Sequence, residues 1–396
     1  MSFNVLQLVG SFHQGGSERQ ALQLARLLAA GARCRVHVAS LDPTGALRAD
    51  AESITGGDDI PSFPLTSFYD ANAARQLRRF ARLLREREID VVHTHDFYSN
   101  VFGMAGATLA RTSARVASKR ETTGMRTRAQ AAVQRAAFSL ADAVVVNSEA
   151  VRRDLERAGV APKKIVTVYN GLDPRRVSPP AGLAREEALA AFDLPADEGL
   201  RFVTIVANLR HEVKDHPTFL RAARRVAERV PAARFVVAGE GELVGQTRSL
   251  AASLGLAEKV FFTGRCSRVA ELLFASDVCV LSSKAEGFSN AILEYMAAAR
   301  PVVATDVGGA REAIIEGETG HVVAAGDDRA LAERIVSLLE DDERARRMGE
   351  RGRERVAEKF SCAAQSERTL ALYERLLAPR RRAEHGVLAE GGAREG

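Results

Sequence analysis

Short apolar runs rich in β-branched residues alternate with amphipathic helical stretches along the sequence, and this alternation constrains the fold most strongly. The runs are mostly continuous in hydrophobicity, which is typical of strands buried on both faces of a parallel sheet. Strand, helix and strand in repetition predict a doubly wound α/β architecture. The predicted strands cover residues 5–9, 35–40, 90–95, 114–118, 143–148, 165–170, 201–207, 234–239, 259–264, 278–283, 301–305 and 321–325.

Twelve strands exceed what one doubly wound sheet ordinarily holds, so we expect two Rossmann-like domains. A cluster of proline and glycine after residue 170 predicts a boundary between domains at 1–175 and 180–365. A last helix is predicted over 366–379, packing back on the N-terminal domain, and 380–396 is predicted to be a disordered tail. Ligands of such sheets bind at the carboxyl ends of the strands, so we expect the site in a central cleft that the two domains face.

The composition excludes several classes of protein. No apolar run approaches the ~20 residues that span a bilayer, and the N-terminus lacks the basic region of a signal peptide. The four cysteines form no C-x2-C pair, which argues against a disulfide framework or a zinc site. These features predict a soluble, cytoplasmic protein.

The net charge of +5 is unevenly distributed. One basic stretch lies between residues 111 and 135, opposed only by Glu121, and a second lies at 75–87. Solvated helix faces would explain both stretches, and so would an anionic acceptor or an anionic membrane surface at the inner face of the cell membrane. Nucleic acid is disfavoured, because tryptophan is absent and no nucleic-acid-binding motif is found. The cations of the first stretch are Arg111, Arg115, Lys119, Arg120, Arg126, Arg128 and Arg135.

The first predicted strand runs directly into a turn that contains Gly15 and Gly16. Ser17 is predicted to be the N-cap of the next helix, with Gln20 completing a capping box. Such a turn lets an anionic ligand approach the backbone, although a tight turn without a ligand explains the glycines equally well. The pattern is not G-x-G-x-x-G, which disfavours a nicotinamide oxidoreductase.

The segment after the tenth predicted strand holds two glutamates around a helix start. Glu286 and Gly287 lie in a short loop after Ser282, and a helix predicted to begin near Ser289–Asn290 carries Glu294. Both glutamates reach one ligand only if that ligand lies across the helix N-terminus. A nucleotide sugar has this layout, with sugar hydroxyls, a pyrophosphate and a ribose in order. Either glutamate alone is explained as a solvated acid stabilised by the helix dipole.

These segments resemble the retaining glycosyltransferases of family 4, which have the GT-B fold of two Rossmann-like domains. The resemblance implies transfer of a sugar from a nucleotide sugar, a UDP-sugar or GDP-mannose, to a glycan or lipid-linked acceptor. EGFSNAILEYMAAARPVVATDVGGAREAI is similar to the signature region of the family. Further landmarks in the family's order are GGSERQALQLARLLAA, DVVHTH, ADAVVVNSEAVRRDL, VYNGLD, ANLRHEVKDHPTFLRAA, FVVAGEGEL, VFFTGR and LLFASDVCVLSS.

The resemblance implies roles for individual residues. Glu286 would hold hydroxyls of the donor sugar, Glu294 would hold the ribose, and Lys214 with Arg210 would neutralise the pyrophosphate, which makes Glu286, Lys214 and Arg210 the candidate catalytic residues. The chain has no D-x-D motif, so no metal is expected, and no cofactor is expected beyond the nucleotide sugar as co-substrate. The other implied donor contacts are Gly16, Gly264, Arg265, Gly287, Phe288, Ser289 and Asn290.

One position departs from the family's pattern. Many members carry a histidine at the end of the strand that corresponds to ARVASKRE, where this chain has Lys119 and Arg120. A cation there fits an anionic leaving group or acceptor. His93 and His95 share one face of a strand end, and we assign His95 and Arg120 to the acceptor side, with packing as the interpretation of His93.

Three alternatives to a glycosyltransferase make different demands on the sequence. A nucleotide-sugar epimerase or phosphorylase would share the architecture, although the phosphorylase normally has a pyridoxal-binding lysine and a far longer chain. A nicotinamide oxidoreductase lacks its fingerprint here. A non-catalytic nucleotide-sugar binding protein would retain every binding residue.

Overall fold

The computed structural model describes residues 2–13, 15–57, 59–121 and 127–391. The chain forms two compact units, each built around a parallel six-stranded sheet in the described residues. Unit 1 comprises residues up to Gly171 and those from Cys362 onward, and unit 2 comprises Leu172–Ser361. The predicted α/β class with two doubly wound sheets is confirmed.

The sheet of unit 1 has the strand order β2-β1-β3-β4-β5-β6, and all its pairs are parallel. Its strands are β1 (Phe3–Val9), β2 (Cys34–Ser40), β3 (Val91–Thr94), β4 (Ala114–Lys119), β5 (Ala143–Val146) and β6 (Ile165–Thr167). The helices between them are α1 (Gly16–Ala29), α2 (Arg48–Ile54), α3 (Ala71–Glu86), α4 (Phe97–Ala110), α5 (Arg128–Leu140) and α6 (Glu149–Arg157).

Apolar side chains cover both faces of this sheet. In β1, Val5 and Val9 pack in one core, and Leu6 and Leu8 pack in another. All four are buried, as the continuous apolar run predicted. The interruption at Gln7 places a fully buried polar side chain in the middle of the strand.

The sheet of unit 2 has the order β12-β11-β10-β7-β8-β9, again with parallel pairs throughout. Its strands are β7 (Arg201–Val206), β8 (Ala233–Ala238), β9 (Val260–Gly264), β10 (Val278–Leu281), β11 (Val302–Thr305) and β12 (His321–Val323). Its helices are α7 (Arg185–Ala190), α8 (His216–Arg229), α9 (Val244–Ser253), α10 (Val269–Ala275), α11 (Asn290–Ala297), α12 (Ala310–Ala313), α13 (Asp328–Leu339) and α14 (Asp342–Lys359).

The last helix, α15 (Cys362–Gly391), belongs to unit 1 and lies against α1. Arg33, just before β2, forms ion pairs with Glu367 and Glu374 of this helix. The predicted end at Pro379 is wrong, and so is the prediction of disorder over 380–391, because the backbone remains helical to Gly391. The segment after Pro379 begins with three arginines, an alanine and a glutamate, residues that favour a helix. Residues 392–396 lie outside the described residues.

The passage between the units differs from the predicted boundary. The chain leaves unit 1 after Gly171, so the proline cluster lies inside unit 2, where Pro174–Arg176 form a single 3-10 turn. Proline breaks regular structure, but it need not coincide with the point at which the chain changes cores. No helix in the described part of the chain is both long enough and apolar enough to cross a membrane.

Candidate functional site

Lys214 and Glu286 form an ion pair at the carboxyl edge of the unit 2 sheet. Lys214 lies in the loop after β7 and Glu286 in the loop after β10, and these strands are neighbours. Lys214 Nζ donates to Glu286 Oε1 at 2.5 Å, and Ser283 Oγ donates to the same oxygen at 2.7 Å. The second carboxylate oxygen, Oε2, forms no hydrogen bond with any described residue, so it can accept one from a ligand.

The loop that carries Lys214 is fixed by the end of β10. Ser282 Oγ lies 2.9 Å from the Lys214 carbonyl oxygen and 3.1 Å from that of Asp215. Asp215 is buried and has a φ of +49°, a conformation that few non-glycine residues adopt, and its carboxylate accepts from Thr218 Oγ1 at 2.8 Å. The tight bend at Asp215 therefore sets where the Lys214 side chain leaves the backbone.

Gly308 allows the loop after β11 to approach Glu286. Its φ is +54°, and a Cβ atom at this position would lie 2.2 Å from the Glu286 carbonyl oxygen. Gly309 N donates to the Gly287 carbonyl oxygen at 2.8 Å next to this contact. Any side chain at 308 would push the Glu286 loop away, so the two glycines of the DVGG segment hold that loop in place.

Helix α11 begins at Asn290, as predicted. Its N-cap residue, Ser289, makes no side-chain capping hydrogen bond, and Phe288 is buried against Phe360. Glu294, one turn into the helix, forms an ion pair with Arg176, whose Nη2 lies 3.3 Å from Glu294 Oε1. Arg176 was not predicted as a site residue.

The other predicted donor contacts of unit 2 lie along the same edge of its sheet, whereas Gly16 lies in unit 1. Arg210, after β7, forms a solvent-exposed ion pair with Glu240, which follows β8. Gly264 ends β9 with a φ of +66°, and Arg265 follows it with an exposed side chain. The structure thus brings Lys214 and Glu286 together and leaves Arg210 beside Glu240.

In unit 1, His95 and Arg120 meet where β3 and β4 end. Arg120 Nη2 lies 3.4 Å from His95 Nδ1, and Arg120 Nη1 donates to Asn170 Oδ1 at 2.9 Å. The Arg120 carbonyl oxygen accepts from Asn147 Nδ2 at 3.2 Å. Burial lowers the pKa of Arg120 to about 10, against the opposing influence of Tyr373 and Glu18, so the guanidinium remains charged at neutral pH.

The Arg120 guanidinium forms no ion pair with a carboxylate of the described residues. Its Nε is buried and has no hydrogen-bond partner in that part of the chain. Asp96 lines the same small recess of about 40 Å³, yet it caps α4 instead, where it accepts from the backbone N–H of Ser99 and of Gly10. A half-buried cation held only by neutral groups leaves its charge available to an anion.

The predicted capping box at Ser17 is wrong. Helix α1 begins at Gly16, with Gly15 as an N-cap residue that has no side chain to donate or accept. Gln20 instead donates to the Gly171 carbonyl oxygen at 3.3 Å. The glycine pair therefore starts the helix two residues earlier than an N-cap at Ser17 would, and Gly16 lies in its first turn.

The basic stretch at 111–135 is less exposed than its sequence suggests. Arg115 forms an ion pair with Asp142 at 2.8 Å, Lys119 is buried, and Arg120 points into the unit. Of its other cations, Arg111, Arg128 and Arg135 are exposed, and Arg126 lies outside the described residues. The number of cations in the sequence overstates the exposed positive charge of this stretch, because β4 lies within it and directs polar side chains inward.

The second basic stretch is the more exposed one. It forms most of α3, whose arginines at 75, 78, 79, 82 and 85 are all exposed while Phe80, Ala81 and Leu84 are buried. Beside α3 lies a groove of about 560 Å³ between α3, α4 and α5, which we call the aromatic groove. Phe68, Tyr69, Leu77, Phe97, Tyr98, Val101 and Phe102 line it, together with seven further residues. Tyr69 is 90% exposed and Tyr98 51% exposed.

Two family models match the sequence. The model of glycosyl transferases group 1 matches residues 187–355, and that of glycosyltransferase family 4 matches residues 14–176. The putative glycosyltransferase EpsD of Bacillus subtilis (strain 168) is 30% identical over 335 residues, which are 80% of this chain and 84% of EpsD. N-acetyl-alpha-D-glucosaminyl L-malate synthase of Bacillus anthracis is 33% identical over 212 residues, 54% of this chain and 53% of that enzyme.

Solved structures share the fold. Anabaena HepE, crystallised in complex with UDP, is 20% identical and has a TM-score of 0.81, covering 94% of this chain and 99% of HepE. At this level of identity the similarity concerns the fold, which is that of two Rossmann-like units.

Proposed function

The chain belongs to glycosyltransferase family 4, has the GT-B fold and is a glycosyltransferase; we propose that it transfers a sugar from a nucleotide sugar to an anionic acceptor with retention of the anomeric configuration. The observation that carries the proposal is the Lys214–Glu286 pair at the carboxyl edge of the unit 2 sheet. The two groups complement a sugar diphosphate: the cation of Lys214 suits the anionic phosphate, and the carboxylate of Glu286 suits the hydroxyl donors of the sugar.

In the proposed donor complex, Lys214 binds the diphosphate and Glu286 binds hydroxyls of the sugar through its open Oε2. The backbone N–H groups at the start of α11 face the pyrophosphate, and Glu294 accepts from the ribose. A nucleotide-sugar donor is also supported by Anabaena HepE, which shares the fold and was crystallised in complex with UDP. Donor base and sugar remain within the panel of UDP-sugars and GDP-mannose.

The proposed chemistry breaks the bond between the anomeric carbon and the diphosphate oxygen, and the electron pair leaves with the diphosphate. Lys214 stabilises that developing charge, and with a protein cation in this role we propose that no metal ion and no further cofactor is required. The acceptor hydroxyl attacks from the side on which the phosphate departs and gives its proton to a phosphate oxygen. Attack on that same face retains the anomeric configuration.

A panel of nucleotide sugars tests the donor. The correct donor at ~100 times its dissociation constant is expected to stabilise the fold by about 2.7 kcal/mol, read as a thermal shift. Mass spectrometry of the same mixture is expected to show slow release of free sugar, in buffer with EDTA as well as without. Binding without release would identify a non-catalytic binding protein, and an isomerised sugar still attached to the nucleotide would identify an epimerase.

We propose that Arg120 binds the negative group of the acceptor. The argument rests on its charge, its half-buried position and the neutral groups that hold it. A relative named for L-malate, a dicarboxylate, agrees with an anionic acceptor in this family. A lipid-linked phosphate offers Arg120 the same chemistry, and membrane binding distinguishes this source from a small soluble anion.

For a lipid-linked acceptor, we propose that the aromatic groove and the arginines of α3 bind an anionic membrane surface. Arg78 lies one helical turn after the groove residue Ala74, and no described residue forms an ion pair with Arg78 or Arg82. Exposed tyrosines beside a cationic helix suit the boundary between acyl chains and headgroups.

The double variant Arg78→Glu, Arg82→Glu is expected to reduce partitioning onto anionic vesicles by about thirtyfold at low salt, taking ~1 kcal/mol for each cation lost. High salt should abolish most of that difference. The matched control is Arg153→Glu, Lys163→Glu, which changes the charge equally at exposed positions of unit 1 outside α3. If both double variants lose the same affinity, α3 is not the specific binding surface; if the wild type does not bind vesicles at all, the outcome favours a soluble acceptor.

A further inference from the structure

Five fully buried or nearly buried polar side chains form a continuous hydrogen-bonded row inside unit 1. They are Gln7 in β1, His93 and His95 at the end of β3, Ser118 in β4, and Tyr373 in α15. Tyr373 Oη lies 3.1 Å from Gln7 Nε2 and 2.6 Å from His93 Nδ1. His93 Nε2 lies 2.7 Å from Ser118 Oγ, and Gln7 Oε1 lies 2.6 Å from His95 Nε2.

Arg120 fixes the direction of every hydrogen bond in this row. A guanidinium only donates, so His95 Nδ1 must accept from it and His95 carries its proton on Nε2. That proton is donated to Gln7 Oε1, which leaves the Gln7 amide N–H₂ to donate to the Tyr373 oxygen. The Tyr373 hydrogen then goes to His93 Nδ1, and His93 Nε2–H donates to Ser118.

The reverse direction places two donors against each other. If the Gln7 amide were turned by 180°, its N–H₂ would face His95 Nε2, and the His95 proton would move to Nδ1. That proton would point at the Arg120 guanidinium 3.4 Å away. Burial favours the neutral form of both rings, lowering the pKa of His93 to about 3 and that of His95 well below its usual value.

We infer that Tyr373 and Gln7 are positioning residues for Arg120, acting through the tautomer of His95. The inference rests on the proposed role of Arg120 in binding the acceptor's anionic group. The hydroxyl of Tyr373 fixes the orientation of the Gln7 amide, and Gln7 Oε1 keeps the His95 proton on Nε2. His95 Nδ1 then accepts from Arg120 Nη2, while Asn170 Oδ1 accepts from Arg120 Nη1. Since the hydrogen-bond partners of the guanidinium among the described residues are neutral, they orient Arg120 without pairing its charge with a carboxylate.

This role gives the C-terminal helix a function beyond covering the sheet. Tyr373 reaches the row from α15, 280 residues after His93, and its ring also meets Phe3 edge-on at a centroid distance of 6.4 Å. The ring of Tyr373 packs against Phe3, and its hydroxyl orients Gln7 and His93. Substitutions can therefore separate the two contributions. Tyr373→Phe removes only the hydroxyl, and Phe3→Leu loosens the packing while leaving the hydroxyl in place.

The test uses the full-length protein labelled with ¹⁵N-histidine, in which long-range ¹H–¹⁵N correlation identifies the protonated nitrogen of each ring. Wild type is expected to show His93 and His95 protonated on Nε2. In Tyr373→Phe, and independently in Gln7→Met, the His95 signals should show a mixture of tautomers, and Phe3→Leu should retain the wild-type pattern. A His95 proton on Nδ1 in wild type, or an unchanged pattern in both Tyr373→Phe and Gln7→Met, would overturn the inference.

Kinetics with the donor and acceptor found by screening supply the second measurement. Tyr373→Phe is expected to raise the acceptor KM about tenfold, because a misoriented Arg120 loses about one hydrogen bond to the anionic group of the acceptor. The donor KM should stay within about twofold of wild type. An equal rise of the acceptor KM in Phe3→Leu would show that Tyr373 acts only through packing and would overturn the inference. If no transfer is found, the proposed function fails, whereas the tautomer measurement still decides whether the row is oriented as described.

Discussion

Replacing Glu286 by glutamine is expected to lower turnover by about a hundredfold or more, equivalent to roughly 2.7 kcal/mol of transition-state stabilisation. Glutamine keeps the size of the side chain but replaces one hydrogen-bond acceptor by a donor and removes the charge. The open Oε2 would then no longer accept reliably from a sugar hydroxyl, and Lys214 would lose its anionic partner. The measurement is release or transfer of the sugar at saturating donor.

Folding should be little affected, because the pair lies in loops at the sheet edge and not in either core. The matched control is Asp328→Asn, which neutralises a carboxylate that is 19% exposed, against 14% for Glu286, and that also pairs with basic side chains. Asp328 pairs with Arg221 and Arg225 on α8, so its loss should leave turnover unchanged. Turnover of Glu286→Gln within threefold of wild type would remove Glu286 from the site.

The fold was predictable because its signals are local. Continuous apolar runs identify buried parallel strands, and each of the twelve predicted strands overlaps a strand of the described structure. Ends of elements were predicted less well, because they depend on tertiary contacts. Helix α1 starts at Gly16 rather than after Ser17, and α15 continues beyond Pro379, although proline usually ends a helix.

The candidate site was predictable only in part. Glu286 and Lys214 follow from sequence motifs, and the strand order brings their loops together. Arg176 escaped prediction because it lies in a proline-rich turn far from Glu294 in sequence. Gln7 is a polar residue within an apolar strand, and Tyr373 is a tyrosine within an amphipathic helix. These interruptions of the apolar pattern were the only sign in the sequence that the two side chains have polar partners. The residues with which they form hydrogen bonds lie on other strands and helices. Which elements pack together cannot be deduced from the residues near Gln7 and Tyr373 in the sequence.

Replacing Lys214 by alanine is expected to weaken binding of the nucleoside diphosphate itself, with UDP as the probe, by about ten- to a hundredfold, the value of a hydrogen bond to a charged group. Lys214 has three donors and uses one on Glu286 at 2.5 Å, so the others can bind phosphate oxygens. Its loop is fixed by Ser282 and by the bend at Asp215, so alanine should remove the charge without moving the backbone. Isothermal titration calorimetry measures the change directly.

Lys284 provides the control that separates contact from general electrostatic attraction. It lies two residues before Glu286, is 55% exposed, and its Nζ is 3.7 Å from Asp215 Oδ1, so Lys284→Ala removes the same charge nearby. A long-range field would make both variants weaken UDP binding alike and would be screened by salt, whereas direct contact confines the loss to Lys214→Ala and retains it at high salt. If UDP binds Lys214→Ala unchanged and only sugar selectivity shifts, Lys214 contacts the sugar rather than the phosphate. The carboxylate and the cation would then both serve the sugar, and the leaving diphosphate would need another source of positive charge, for which Arg210 beside Glu240 is the nearest alternative in sequence.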